Sequence, residues 1–153
     1  MELDFDHSFL CIPIDKYFNY KFGTLPYRSI KFENREEESL NLKTAVINFT
    51  DKSPYTRKTQ WDLLPNSEKS SSQYKTITYE KPCSMNDNPG EYYYPVQTIN
   101  SKKIYEKYKK LSQNEQRFTF CGRTGLYKYI DMIPAVTIHL KIAKDFLKKY
   151  HIN

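Results

Sequence analysis

The chain has 153 residues, enough for one ordinary hydrophobic core, and a formal net charge of +6 that suits anionic ligands without choosing among nucleic acid, phosphate and membrane. A hydrophobic fraction of 39% excludes a disordered composition, and four glycines without a GxGxxG run exclude the start of a dinucleotide-binding βαβ unit. Three widely spaced cysteines argue against a disulfide framework or a zinc site, and no apolar run reaches membrane-spanning length, so we expect a cytoplasmic protein without a membrane span or a bound metal.

Strand signals come first along the chain. Apolar and polar residues alternate in residues 27–32, 45–49 and 74–80, with aromatic and β-branched side chains among them. Turn-forming residues separate these segments, for example at Pro54 and in the Asn- and Pro-rich residues 86–90. Period-two spacing of this kind predicts an antiparallel sheet.

Helix signals follow. Apolar residues at helical spacing predict a helix over about residues 101–112, with a cap at Asn100 or Ser101. Phe118 and Phe120 indicate a short strand. A terminal helix begins at Asp131-Met132 and carries two apolar rows, so we expect part of its surface to contact a domain outside these 153 residues. The predicted fold class is α+β, an antiparallel sheet domain followed by two helices.

The first candidate site residue is Arg57, which follows the proline turn at Pro54. An arginine at a strand end can donate two charge-assisted hydrogen bonds to a phosphate. The alternative is a surface ion pair with Glu80 or Asp62, which position alone favours.

Three consecutive tyrosines, Tyr92, Tyr93 and Tyr94, stand before Pro95. Proline holds the preceding residue extended, so neighbouring rings point to opposite sides. They form either a wall for a sugar diphosphate or plain aromatic packing over a sheet edge, and the pattern favours the second.

A third candidate is the segment 121–132. Gly122 and Gly125 flank Arg123 and allow close approach of a ligand to the backbone, and the helix that starts after Asp131 presents free amides. A mere hairpin turn explains Gly-Arg-x-Gly equally well. No classical catalytic set is present, because His7, His139 and His151 are scattered and we expect His139 and His151 at the surface.

These motifs, in this order, resemble the C-terminal portion of the UDP-galactopyranose mutase family. Residues 13–32 resemble the family stretch IDEYFDYKFGxLxYRSLxFE, and residues 46–57 resemble VxNYTD followed by PYTR. Residues 79–80, 93–96 and 104–108 match later blocks, and residues 122–132 resemble GRLGEYKYYDM.

The resemblance implies an isomerase that interconverts UDP-galactopyranose and UDP-galactofuranose with reduced FAD, for the synthesis of cell-surface polysaccharides. Arg57 and Glu80 would be catalytic, Arg57 at the pyrophosphate and Glu80 near the sugar. The other residues that the resemblance assigns are Arg28, Tyr94 and Tyr129 at the substrate, and Gly122, Arg123, Ile130, Asp131, Met132 and Ile133 at the FAD.

The sequence departs from the family at three points. Gln60-Trp61 replaces a Glu-His pair, Ile133-Pro134 replaces a His-Gln pair, and the FAD-binding N-terminal half is absent from these 153 residues. We therefore expect residues 1–112 to form the sheet domain with its short helix, and residues 113–153 to return to the flavin domain. An N-terminal half or a second subunit would be the partner, alongside a possible homodimer.

Activity of the chain alone is not expected without that half. Two alternatives come from other classes of protein. One is a non-catalytic module that binds a glycan or single-stranded nucleic acid through tyrosines and lysines. The other is a structural domain that only pairs with another subunit.

Overall fold

The computed structural model describes residues 5–38, 43–68 and 71–150. Within them the chain forms seven strands, four helices and one 3-10 turn (Trp61–Leu63). The strands are β1 (Ser8–Leu10), β2 (Tyr27–Glu38), β3 (Val46–Asn48), β4 (Arg57–Gln60), β5 (Tyr74–Ser84), β6 (Tyr94–Pro95) and β7 (Phe118–Phe120). The helices are α1 (Ile14–Tyr17), α2 (Ile99–Ser112), α3 (Gly122–Gly125) and α4 (Met132–Lys149). The predicted α+β class is confirmed.

The chain divides into two compact units. We call Arg28–Glu91 the sheet unit, and Met1–Tyr27 with Tyr92–Asn153 the terminal unit. The boundary predicted at residue 112 concerns the domains of the intact family fold and stays a prediction.

An antiparallel sheet with the strand order β3-β4-β5-β2 builds the sheet unit. The three predicted strand segments lie in β2, β3 and β5, so the period-two interpretation is confirmed. Within the terminal unit, the Val96 amide, which directly follows β6, donates to the Pro26 carbonyl at 2.9 Å.

In the terminal unit, a parallel pair joins β1 to β7, with Ser8 opposite Phe118 and Leu10 opposite Phe120. The strand β7 was predicted from Phe118 and Phe120, whereas β1 and its pairing had no signal in the sequence. The two strands are more than a hundred residues apart in the sequence, so no local pattern predicts that they pair.

The fully buried Tyr108 connects α2 to the Phe22-Gly23 turn of the terminal unit. Its hydroxyl donates to the Gly23 carbonyl at 2.8 Å and accepts from the Phe22 amide at 2.8 Å. Phe18, Phe22 and Tyr108 pack their rings together, with centroids about 5 to 6 Å apart.

The cap of α2 differs from the prediction. Thr98 is the N-cap, and its side chain accepts from the Ser101 amide at 3.0 Å. The Ser101 hydroxyl returns a bond by accepting from the Thr98 amide at 2.8 Å. The predicted caps, Asn100 and Ser101, lie inside the first turn, because the reciprocal capping box places the start of the helix two residues earlier.

A second phenol fixes the segment before α4. Tyr127 is buried, and its hydroxyl lies 2.7 Å from the Val96 carbonyl and 3.0 Å from the Pro26 carbonyl. Its backbone has a φ of 44°, in the left-handed region that bulky residues avoid. The hydrogen bonds and ring contacts of the phenol offset this strain, so Tyr127 holds the chain in a conformation that it would not adopt alone.

The helix α4 leaves much of its apolar surface uncovered, as its two apolar rows predicted. Met132 is 86% exposed, Ile133 82%, Val136 62% and Leu140 56%. On another side of the helix, Phe146 packs against His7 and Phe9 at centroid distances of 4.6 and 5.1 Å. Despite its apolar residues, neither α4 nor any other helix of the described segments has the length and hydropathy to span a bilayer.

Asp15 is a buried carboxyl in α1. Its Oδ2 accepts from the Leu25 amide at 2.8 Å, while Oδ1 is buried without a hydrogen-bond partner among the described residues. Burial raises the pKa of Asp15 above its ordinary value, although hydrogen bonds from backbone amides oppose the shift. The folded state therefore binds the Asp15 proton more tightly than the unfolded state.

The Tyr108→Phe variant should lose about 1–3 kcal/mol of unfolding free energy, because the Phe22 amide and the Gly23 carbonyl both lose their partner. Urea denaturation followed by circular dichroism measures this. The exposed Tyr74 supplies the control, since Tyr74→Phe should unfold at the wild-type midpoint. Equal midpoints for the two variants would contradict the assigned role of Tyr108.

The Asp15→Asn variant tests the buried carboxyl through pH. The stability that the raised pKa confers is complete below the unfolded pKa of about 3.9 and is lost as pH rises through the higher folded value. Asparagine mimics the protonated form, so the variant should gain stability relative to the wild type as pH rises from about 3 to 7. Urea midpoints across this range measure the difference. Asp145→Asn, at an exposed position, should show no such trend.

Candidate functional site

The predicted site residues fall in both units, and each group is described by itself. The sheet unit contains Arg28, Arg57 and Glu80, and the terminal unit contains Tyr94, Gly122, Arg123, Tyr129, Ile130, Asp131, Met132 and Ile133.

Arg57 lies in the centre of a row that runs across the sheet unit. Asn48 of β3 pairs with Arg57 of β4, Arg57 pairs with Glu80 of β5, and Glu80 pairs with Phe32 of β2. Directly paired residues of antiparallel strands point to the same face. Register therefore brings the two predicted catalytic residues, Arg57 and Glu80, together.

Two neighbours in this row hold the guanidinium of Arg57. Its Nε donates to Asn48 Oδ1 at 3.0 Å, and its Nη1 lies 3.6 Å from Glu80 Oε1. The side chain of Arg57 is still 47% exposed, so donors remain for an anion. The surface ion-pair alternative is thus partly realised with Glu80, while Asp62 pairs instead with Lys75 at 3.2 Å. An arginine fixed by two acceptors and open to solvent can receive a phosphate.

The third predicted residue of this unit, Arg28, is exposed near the beginning of β2. It stands four residues before Phe32, and strand alternation therefore places it on the face that carries Arg57 and Glu80. Two cations and one carboxylate share this face, and the exposed ring of Phe32 lies on it too.

Four residues of the sheet unit received no role from the sequence: Asn34, Asn48, Trp61 and Thr78. The Trp61 indole donates to Thr78 Oγ1 at 2.6 Å, and that hydroxyl donates to Asn34 Oδ1 at 2.6 Å. Trp61 stands where the family has one residue of its Glu-His pair, and its ring remains half exposed. Asn48 lay within a quoted motif, but only the pairing of β3 with β4 reveals its contact with Arg57.

In the terminal unit, Arg123 lies beside two predicted substrate tyrosines. The rings of Tyr94 and Tyr129 stack with centroids 5.6 Å apart and an interplanar angle of 27°. The guanidinium carbon of Arg123 is 5.3 Å from each centroid. Cation–π attraction therefore holds both rings against one cation. This contact is aromatic packing, and the role of Tyr94 in a wall for a sugar diphosphate stays a prediction.

Backbone contacts set the position of Arg123. Its Nε donates to the Ile130 carbonyl at 2.7 Å, and this bond links the two ends of the segment between α3 and α4.

The predicted hairpin alternative is wrong, because residues Gly122–Gly125 form a single helical turn. A Cβ on Gly125 would lie 2.9 Å from the Leu10 carbonyl oxygen, so this turn can pack against β1 only with glycine there.

His139 is not the plain surface residue that was expected. Its Nε2 accepts from the Gly122 amide at 2.8 Å, and its Nδ1 lies 2.6 Å from the Ala135 carbonyl oxygen. The Nδ1–H tautomer satisfies both contacts. His139 therefore ties α4 to the beginning of the Gly122–Gly125 turn.

The predicted flavin contacts after Tyr129 differ in their surroundings. The Ile130 side chain is buried and its carbonyl is occupied by Arg123, whereas Met132 and Ile133 are strongly exposed at the start of α4. Asp131 is the N-cap, without a side-chain capping bond. A hydrogen bond to the Asp131 carboxylate raises the pKa of the Tyr129 phenol above its ordinary value.

This donor set fits one edge of a flavin. The Arg123 guanidinium and the first amides of α4 are donors near an exposed helix start, and such donors suit electron-rich ring oxygens.

The sequence model of the family described as "GLF: UDP-galactopyranose mutase" matches residues 2–129. The chain belongs to the UDP-galactopyranose mutase family. The matched range contains predicted site residues of both units: Arg28 and Arg57 in the sheet unit, and Arg123 and Tyr129 in the terminal unit.

Curated relatives agree with this mutase assignment. The chain is 35% identical over 145 residues to a probable UDP-galactopyranose mutase of Klebsiella pneumoniae, covering 94% of the chain and 37% of the relative. It is 29% identical to the dTDP-fucopyranose mutase of Escherichia coli, covering 94% and 38%. It is 30% identical to the UDP-galactopyranose mutase of Mycoplasma genitalium, covering 90% and 35%. The chain thus spans little more than a third of the length of these mutases.

The Asp131→Asn variant should lower the pKa of the Tyr129 phenol towards its ordinary value, because the neutral amide removes the charge that opposes ionisation. Carbon NMR of ring-labelled tyrosine during an alkaline titration measures it, with Tyr129→Phe assigning the signal. Asp145→Asn, on an exposed stretch of α4, should leave the titration unchanged. An unaltered Tyr129 titration in Asp131→Asn would contradict the contact.

Proposed function

We propose that this chain is the C-terminal part of a flavin-dependent mutase that converts UDP-galactopyranose to UDP-galactofuranose and back, for cell-surface polysaccharide synthesis. The observation that carries the proposal is the family match, which contains an anchored, half-exposed Arg57 and the Arg123 group with its two tyrosines. Galactose is the first choice of sugar because two of the relatives named above are UDP-galactopyranose mutases.

The sheet unit would bind the diphosphate and stabilise its departure. Negative charge grows on the diphosphate oxygens as the bond to the sugar breaks, and a fixed cation lowers the energy of that state. Asn48 and Glu80 hold the guanidinium of Arg57 in place before the substrate arrives. Glu80 would in addition accept a hydrogen bond from a sugar hydroxyl, and Arg28 would add positive charge on the same face.

The terminal unit would orient the substrate and one edge of the cofactor. The hydroxyls of Tyr94 and Tyr129 are donors for phosphate oxygens, and a raised pKa keeps the Tyr129 phenol protonated at neutral pH. Gly122, Arg123, Asp131, Met132 and Ile133 would lie along the flavin. When bound, reduced FAD would supply the nucleophile that attacks the anomeric carbon of the sugar.

Catalysis would require the rest of the family fold. The chain covers 37% of the Klebsiella pneumoniae relative, and the exposed apolar residues at the start of α4 offer a surface for the missing part. The chain alone would therefore form no furanose.

The E. coli relative supplies a second candidate, a dTDP-fucopyranose substrate. Both substrates present a nucleoside diphosphate to Arg57, so the proposed role of this residue is the same for either sugar. Competition between the two nucleotide sugars in one assay decides the preference.

A reconstitution assay tests the proposal. The chain is mixed with the remainder of the Klebsiella pneumoniae relative, FAD, a reductant and UDP-galactofuranose, and pyranose is measured by chromatography. We expect turnover from the mixture only. Arg57→Ala should reduce it by about 10²–10³-fold, because one transition-state cation is lost.

Lys58→Ala is the matched control, because Lys58 is the next residue of β4 and pairs with Ile47 and Tyr79 on the opposite face. It should leave turnover unchanged. Turnover by the chain alone would refute the need for the missing part. Salt-sensitive binding of single-stranded nucleic acid with indifference to UDP would support the non-catalytic module, and dimerisation without any ligand binding would support the structural alternative.

A further inference from the structure

Two of the three cysteines lie side by side, although 110 positions separate them in the sequence. The Sγ atoms of Cys11 and Cys121 are 3.2 Å apart. Each residue directly follows a strand of the parallel pair, since Leu10 is opposite Phe120 in the register of β1 and β7. The Cys121 amide donates to the Leu10 carbonyl at 2.9 Å, which continues the ladder.

The backbone already meets the requirement for a cross-link. Neighbouring strands lie about 4.8 Å apart, and disulfides join residues whose Cα atoms are about 4.4–6.8 Å apart. A Cβ on Gly122 would lie only 3.1 Å from Cys11 Sγ, so glycine at this position gives the Cys11 sulfur its room. The Sγ–Sγ distance of 3.2 Å must still shorten to about 2.05 Å for the bond to form.

We propose that Cys11 and Cys121 form a reversible disulfide that fastens β1 to the Gly122–Gly125 turn. The bond would act on the turn that carries Arg123. The Thr124 hydroxyl already donates to the Cys11 carbonyl at 3.0 Å, so the cross-link would reinforce an existing contact. The inference is independent of the mutase activity, because it rests on the geometry of the terminal unit alone.

The different exposure of the two thiols sets the order of the reaction. Cys11 is exposed and Cys121 is buried. The Cys11 thiolate attacks oxidised glutathione, forms a mixed disulfide and releases one glutathione thiolate. Cys121 then loses its proton, attacks the Cys11 sulfur and releases the second glutathione. Two protein thiols are oxidised to one disulfide, and one glutathione disulfide is reduced to two thiols.

The ring-closing step should depend on pH. Burial, with a smaller effect from the neighbouring Cys11, raises the pKa of the Cys121 thiol to about 12. Few Cys121 thiolates exist at neutral pH, so the mixed disulfide should convert to the intramolecular bond faster as pH rises.

The experiment uses the full chain, reduced, desalted and treated with oxidised glutathione. Free thiols are then alkylated under denaturing conditions, and intact mass and non-reducing peptide maps are recorded. We expect the wild type to lose two hydrogen atoms, to accept one alkyl group at Cys83, and to yield a linked pair of peptides that contain Cys11 and Cys121. A thiol reductant should restore three alkylation sites.

Single-serine variants supply the controls. Cys83→Ser, in the sheet unit, should form the same link and accept no alkyl group. Cys121→Ser should stop at the glutathione adduct of Cys11. Cys11→Ser should form neither product. Because Cys11 is exposed, this substitution should not disturb folding. Three free thiols in the treated wild type, a lasting glutathione adduct at Cys11, or a link to Cys83 would each overturn the proposal.

Discussion

The buried phenol of Tyr127 is the constraint on which the terminal unit depends. Its hydroxyl contacts the carbonyls of Pro26 and Val96, so one side chain joins the entry to β2, the end of β6 and the segment before α4. Burial raises the pKa of this phenol, which therefore remains a hydrogen-bond donor. Tyr94 and Tyr129 lie on two of the segments that Tyr127 connects, and their rings stack on each other.

The two guanidinium groups of the proposed site are held in position by neighbouring side chains of the same chain. Asn48 and Glu80 fix Arg57 through strand register, and Tyr94 and Tyr129 flank Arg123 through their ring faces. In both cases the guanidinium has lost rotamer freedom before any ligand binds. Ligand binding then costs less free energy, because the cations are already oriented before the ligand arrives. This is the general advantage of preorganisation.

The uncovered face of α4 agrees with the proposal that further parts of the family fold pack against this chain. Its first turn exposes Met132 and Ile133 almost completely, although both are apolar. The same turn carries the predicted flavin contacts. A surface that binds a cofactor edge and the remaining fold would have this composition, and the mutases that match the chain are more than twice its length.

Local pattern sufficed for much of the fold. Alternation predicted β2, β3 and β5, and helical spacing predicted α2 and α4. The roles of Arg57, Glu80, Tyr94 and Arg123 came instead from the resemblance of the ordered motifs to a family, and they stay predictions. These strands and helices can be predicted because their apolar residues recur with the period of the backbone structure that they form.

Tertiary structure alone decided the rest. It placed Asn48 beside Arg57, brought Cys11 to Cys121, paired β1 with β7 and moved the cap of α2 to Thr98. Pairing between strands that are a hundred residues apart leaves no periodic trace in either segment. The three cysteines looked unrelated in the sequence for this reason, since their spacing carries no information about a contact that only the register of two distant strands creates.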